Sequence, residues 1–299
     1  MSGRRYTVYD VFTKEALAGN QLAVVFDCEG LDTARMLAIA REFNLSETVF
    51  ILPPDNPPHE ARVRIFVPAR ELPFAGHPTV GSAVAIAALR YGNGEHNFVL
   101  EEIVGDIQCR VDNDLGKAQF DLPGLPQRIE YELAPDLIAA ALGLAVDDIG
   151  FGRHIVSVWT AGVPYVTVPV KRIEAIRHSS VNAEVWLNLV RLPGAIPAAP
   201  YLYCKDGDVA GSDFHTRMFA PWDGIKEDPA TGSAAAALAG ALMVFEELEE
   251  GETKYVVEQG VEMGRPSFIE LSLTVMANVL TNVSIGGCAV KVAQGKLFA

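Results

Sequence analysis

The chain has 299 residues, 49% of them hydrophobic and 21% charged, with a formal net charge of −14. That length suits two cores of about 150 residues each, and the composition is that of a globular protein. The basic residues form only isolated doublets, Arg4-Arg5 and Lys171-Arg172, which excludes a nucleic-acid backbone as partner. Cys28, Cys109, Cys204 and Cys288 are scattered, as are the six histidines. This predicts reduced thiols and a cytoplasmic location, with no disulfide frame and no metal site. Residues 1–9 lack the apolar stretch of a signal peptide, and the longest apolar runs, 82–89 and 234–245, are too short to span a bilayer.

In chain order, β-branched and aromatic residues predict strands at 6–12 and 22–26, joined by the turn residues Gly19-Asn20. Apolar residues at helical spacing predict an amphipathic helix over 32–43. Strands follow at 48–52 and 62–67, and then a helix of small residues over 79–89. Three more strands are expected at 99–102, 107–111 and 117–122. The run Leu122-Pro123-Gly124-Leu125-Pro126 continues neither helix nor strand and marks a hinge. The expected domains are therefore 1–122 and 123–299, with a last strand able to return to the first half. The second half predicts a helix over 134–142, strands at 155–159 and 165–170, a helix over 183–190 and a strand at 201–204. Another helix follows Asp228, with further strands to the end. Many strands and few helices, without βαβ alternation, indicate an α+β fold.

The halves echo one another. Arg64-Ile65-Phe66-Val67-Pro68 is matched by Arg217-Met218-Phe219-Ala220-Pro221, and His77-Pro78-Thr79-Val80-Gly81-Ser82-Ala83 by Asp228-Pro229-Ala230-Thr231-Gly232-Ser233-Ala234. Each copy reads as strand, loop and a helix that begins near its Gly-Ser pair. Glycine at a helix start admits a ligand close to the backbone, where free N–H groups and the helix dipole favour an anion. Taken singly, each helix start also has a purely structural explanation. This alignment places His77 and Asp228 at equivalent positions, two different titratable groups of the kind acid–base chemistry uses. Asp228 before Pro229 also reads as a helix cap.

Four motifs resemble the PhzF family of phenazine-biosynthesis-like isomerases: Asn44-Leu45-Ser46-Glu47-Thr48, Glu71-Leu72-Pro73-Phe74-Ala75-Gly76-His77-Pro78, Glu227-Asp228-Pro229-Ala230-Thr231-Gly232-Ser233-Ala234 and Gln259-Gly260-Val261-Glu262-Met263-Gly264-Arg265-Pro266-Ser267. The resemblance implies a diaminopimelate-epimerase-like fold, two pseudo-symmetric halves each with a mostly antiparallel sheet wrapped around a central helix. It implies a cofactor-independent isomerase of the trans-2,3-dihydro-3-hydroxyanthranilate type, a homodimer, that moves a proton on a small carboxylate-bearing substrate. Glu47 would carry the proton, and His77 and Asp228 would orient the substrate or assist. Asn20, Gly76, Gly81, Ser82, Gly232 and Ser233 would bind the substrate. A carboxylate at the strand entrance of Glu47 can be desolvated and raised in pKa, although a lone glutamate there also reads as an exposed loop residue. Related epimerases of this fold use one cysteine from each half, and here His77 and Asp228 are expected to hold those places. Gln21 stands where many family members have proline.

Two further readings stay open: an epimerase or racemase using His77 and Asp228 as its two bases, and a non-catalytic binder of small acids. The Gly232-Ser233 loop lacks the lysine of a phosphate loop. Arg265 reads either as a carboxylate partner in the cleft or as a solvated turn residue. Residues 246–252 read as a solvated loop, and Trp186 and Trp222 as core or cleft wall.

Overall fold

A computed structural model describes residues 3–194, 196–205 and 207–299. The first half contains β1 (Arg4–Val11), β2 (Asn20–Val25), α1 (Thr33–Phe43), β3 (Glu47–Leu52), β4 (Ala61–Phe66), β5 (Glu71–Leu72), α2 (Gly76–Arg90), β6 (Glu95–Glu102), β7 (Gly105–Asp112) and β8 (Lys117–Asp121). After a short β9 (Gln127–Ile129), the second half contains α3 (Pro135–Leu142), β10 (Ser157–Thr160), β11 (Pro164–Pro169), α4 (Ile173–His178), α5 (Ala183–Leu189), β12 (Ala199–Lys205), β13 (Phe214–Ala220), β14 (Ile225–Asp228), α6 (Gly232–Phe245), β15 (Gly251–Gln259), β16 (Ser267–Met276) and β17 (Val279–Leu297).

Strand pairing repeats between the halves. In the first, β1 pairs antiparallel with β2, β2 parallel with β3, β3 antiparallel with β4, β4 parallel with β6, and β7 and β8 follow antiparallel. In the second, β10, β11, β12, β13, β15 and β16 take the same places with the same senses. The long β17 joins the two. Its start pairs with β16, its middle with β8 and its end with β1, so the first sheet closes into a ring around α2. The fold is the α+β, diaminopimelate-epimerase-like arrangement.

Small residues make the central helices possible. α2 (GHPTVGSAVAIAALR) and α6 (GSAAAALAGALMVF) are buried on nearly every side, where bulkier side chains would not fit inside the sheets. A Cβ on Gly240 would lie 2.3 Å from the Trp159 ring, so that indole sits directly on the helix backbone. Outside the first sheet, α1 turns Met36, Ile39 and Ala40 inward, capped by Asp32, which accepts from the Arg35 N–H at 2.7 Å. β3 is therefore buried on both faces along its whole length. α3, α4 and α5 cover the second sheet through Ile138, Leu142, Ile176 and Trp186. Among the described residues no helix is long and apolar enough to cross a membrane.

The register of the internal repeat differs from the sequence alignment. Arg64 makes a two-pronged ion pair with Glu71 at 2.6 Å, and Arg217 makes the same pair with Glu227 at 2.7 and 2.8 Å. β5 and β14 then lead into α2 and α6, which start at Gly76 and Gly232. Glu71-Leu72-Pro73-Phe74-Ala75-Gly76-His77 thus corresponds to Glu227-Asp228-Pro229-Ala230-Thr231-Gly232-Ser233. His77 is equivalent to Ser233, and Asp228 to Leu72. The expected equivalence of His77 and Asp228 is wrong, and they cannot be the dyad-related places of two cysteines. α2 also begins earlier than the predicted residue 79. Gly81 and Ser82 therefore lie in its second turn, Gly81 against Leu22 and Val11, and neither is at a helix start.

Candidate active site

The two helix starts touch. A Cβ on Gly76 would lie 2.5 Å from Gly232 Cα, and one on Gly232 would lie 2.9 Å from Gly76 Cα. Only glycine at both places lets α2 and α6 meet tip to tip, and the cavity opens at this junction.

Its wall is built from equivalent pairs that differ in chemistry. Glu47, first in β3, faces the place that Ala199, first in β12, holds in the other half. Leu72 is matched by Asp228, Ala75 by Thr231, His77 by Ser233, and Arg70 by Asp223. All ten residues line the cavity. The duplicated scaffold therefore supplies one glutamate and one aspartate from different halves and from different positions. Phe74, Val163, Ile196, Pro197, Met218 and Ile225 make the remaining wall largely apolar.

Glu47 is 7% exposed. Burial pushes its carboxyl well above the usual carboxylate range, and the nearby Asp228 and Asp223 push it further. Its Oε2 lies 3.3 Å from His77 Nε2, without hydrogen-bond alignment, and neither atom has another partner among the described residues. Burial drives the His77 imidazole down to about 3, with the Gln21 main chain opposing only weakly, so the ring is neutral at physiological pH. Its Nδ1 lies 3.1 Å from Asn20 Nδ2, an amide nitrogen that can only donate.

Asn20 ties the halves together. Its Nδ2 also donates to Asp228 Oδ1 at 2.8 Å and to the Ala230 carbonyl at 2.9 Å. Asp228 Oδ2 accepts from Thr231 Oγ1 at 2.6 Å, and Gln259 braces the loop by donating to the Asp228 carbonyl at 2.7 Å. Asp228 is therefore the end of β14 and not a helix cap. Burial raises its carboxyl to about 6 against the opposing hydrogen bonds of Thr231, Asn20 and Ser46. Ser233 Oγ pairs with Tyr165 OH at 2.7 Å, and burial raises that phenol far enough to keep it protonated.

Of the nine residues singled out from sequence, Glu47, His77, Asp228, Gly76, Gly232 and Ser233 line the cavity directly. Asn20 stands behind them as a bridge, and Gly81 and Ser82 lie off the wall within α2. Tyr165, Arg70 and Asp223 escaped sequence reasoning. For the last two the signal was present, since Val67-Pro68-Ala69-Arg70 parallels Ala220-Pro221-Trp222-Asp223. Arg265 belongs to neither alternative raised for it: it donates to the Gly19 and Ala18 carbonyls and to Asp10, pinning the loop before β2. Trp186 is core, its indole N–H donating to the Ala198 carbonyl at 2.8 Å.

Two α+β halves that join helix to helix at a buried, carboxylate-lined cavity define the class of isomerases and epimerases with this fold. The sequence model of the family described as "Phenazine biosynthesis-like protein" matches residues 9–295, and the chain belongs to that PhzF family and is an isomerase. It is 54% identical to an uncharacterised isomerase of Mesorhizobium japonicum, over 100% of both chains. It is 34% identical to the trans-2,3-dihydro-3-hydroxyanthranilate isomerase of Pseudomonas fluorescens, over 98% of each. A PhzF-family crystal structure from Bacillus anthracis superposes with a TM-score of 0.88 at 25% identity, over 100% of both chains.

Proposed function

We propose that this isomerase moves a proton between two carbons of a small, carboxylate-bearing substrate, with Glu47 as the acid–base group. One observation carries the reading. Glu47 offers a buried oxygen without a hydrogen-bond partner, on a carboxyl that burial raises well above the usual range, facing a cavity whose equivalent position in the other half is the inert Ala199. A group held as an acid by its surroundings can give a proton to one carbon and, as carboxylate, take one from another. The substrate gains and loses one proton, so no oxidant, metal or organic cofactor is required by the balance.

The other residues follow. The N-termini of α2 and α6, which meet at Gly76 and Gly232, would hold the substrate carboxylate. A neutral His77 with its proton on Nε2, 3.3 Å from Glu47 Oε2, would stabilise the glutamate while it is ionised. Asp228 and Ser233 would orient polar groups on the substrate. The relationship to the Pseudomonas fluorescens enzyme supports trans-2,3-dihydro-3-hydroxyanthranilate, or a compound of its class, as substrate. A cytoplasmic homodimer without nucleic-acid or membrane partners belongs to the same reading.

The test is incubation of purified protein with that compound in deuterium oxide, beside Glu47→Gln. Deuterium in the product of the wild type, with no turnover by the variant, is the expected result. Turnover by Glu47→Gln at the wild-type rate would remove Glu47 from its role. Turnover by neither would remove the compound as substrate.

A further inference from the structure

One buried carboxyl outside the cavity has an oxygen without a partner among the described residues. Glu102, the last residue of β6, is 8% exposed, and its Oε1 lies 2.6 Å from Thr79 Oγ1 in the first turns of α2. Its Oε2 is buried with no partner among the described residues. Thr79 Oγ1 also lies 2.8 Å from the Ala75 carbonyl, an atom that can only accept. A hydroxyl owns one proton and serves only one of the two oxygens. Given to Ala75, it leaves the Glu102 contact as a hydrogen bond only when the carboxyl donates, as a carboxylic acid; given to Glu102, it serves the carboxyl in either state.

The other half repeats the arrangement with an amide. By strand pairing Glu102 is equivalent to Gln259: Arg62 pairs with Glu101 as His215 pairs with Glu258, one residue earlier in each strand. Gln259 Nε2 donates to Thr231 Oγ1 at 2.9 Å, and Thr231 passes its own proton to Asp228. The same sense in the first half has Glu102 giving to Thr79 and Thr79 to Ala75, an arrangement open to Glu102 only as the acid. One half uses a side chain that is a donor at every pH, while the other uses one that donates only while protonated.

We propose that Glu102 is a positioning residue held as a neutral carboxylic acid, whose hydrogen bond to Thr79 fixes the first turn of α2 and with it Gly76 and His77. Burial raises its carboxyl to about 8, in agreement with the buried, unpartnered Oε2. The titratable group that faces it is Cys109 of β7, a thiol that burial keeps protonated. The charged residues beside it on β4 and β6, Arg62 and Glu101, are engaged by Asp55 and His59. On α2, His77 is neutral. Ionisation of Glu102 would therefore place an unpaired charge behind the helix that carries the site.

The link to His77 rests on the functional reading above, so the test is read on thermal stability, which that reading does not touch. Unfolded glutamate ionises near its ordinary value, whereas the folded carboxyl keeps its proton to about 8. Between those values folding takes up a proton, and wild-type stability falls as pH rises, by about tenfold in the folding constant per pH unit. Glu102→Gln keeps a donor and removes the ionisation, and Glu102→Met removes both. The thermal midpoints of all three proteins are measured from about pH 5 to about pH 9, and every other titrating group cancels in the differences. Glu102→Gln should gain on the wild type steadily up to about pH 8 and then run parallel to it. Glu102→Met should show the same pH trend from a lower midpoint. A Gln-to-wild-type difference that is constant with pH would overturn the proposal. So would a Gln variant that melts below the Met variant, or that fails to fold where Met folds.

Discussion

Arg70 and Asp223 hold the same place in the two halves and meet in the wall of the cavity, Arg70 Nη2 donating to Asp223 Oδ2 at 2.8 Å. Equivalent residues of opposite charge thus turn the pseudo-twofold into a clasp. Arg70 remains 30% exposed and Asp223 13%, so the pair is worth about 1 kcal/mol or less to stability. Arg70→Ala should shift the thermal midpoint by no more than a few degrees while changing KM for substrate severalfold, because the clasp lines the cavity. Equal small effects on stability and KM would show that it has no part in binding.

Glu47→Gln should lower kcat by about 100- to 10,000-fold, the range general acid–base groups contribute. The same change should raise the midpoint at neutral pH. The folded protein keeps the Glu47 proton that the unfolded chain releases, so wild-type stability declines with rising pH and the amide escapes that decline. Calorimetry beside single-turnover kinetics checks both halves of the prediction.

Activity should carry an ionisation near pH 6 belonging to Asp228, and none from His77, which is neutral down to about 3. The limb should vanish in Asp228→Asn. Because the folded carboxyl is raised, stability contributed by Asp228 is fully present below about pH 4 and lost as pH rises to about 6. The midpoint difference between Asp228→Asn and wild type should grow through that window and stay flat above it. A limb retained in the variant would assign it elsewhere.

Gly76→Ala and Gly232→Ala should each destabilise by about 1–3 kcal/mol, since the added carbon would press on the backbone of the facing helix start. Gly92→Ala, where nothing lies within 4 Å, is the control and should cost far less. Urea midpoints of the three variants decide this, and equal costs would deny the helix contact.

Much of this could be read from the chain. The α+β class, the central helices and the cluster of Glu47, His77 and Asp228 followed from local pattern and from motifs in a fixed order. The repeat register did not. Matching His77-Pro78 with Asp228-Pro229 relied on Gly-Ser-Ala runs, but small residues recur along any buried helix and carry little register information. The ion pairs Arg64–Glu71 and Arg217–Glu227 fix the register in space, and Glu-x-Pro-x-x-Gly at 71–76 and 227–232 was its visible trace. Tyr165 could not be found in this way, because its role depends on β11 passing beside the start of α6. The pairing of Glu102 with Gln259 was equally hidden, since equivalence across a strand ladder leaves no identity in sequence.

The exchange of β17 between the sheets has a consequence for how the protein is made. Residues 289–297 complete the ring that begins with residues 4–11, so β1 is made long before the segment that closes its sheet. The amino-terminal half cannot close ahead of the rest, however long translation pauses. Nascent chains halted after residue 122 should expose an open sheet edge to chaperones, and the junction where substrate would bind comes into being only once β17 has met β1.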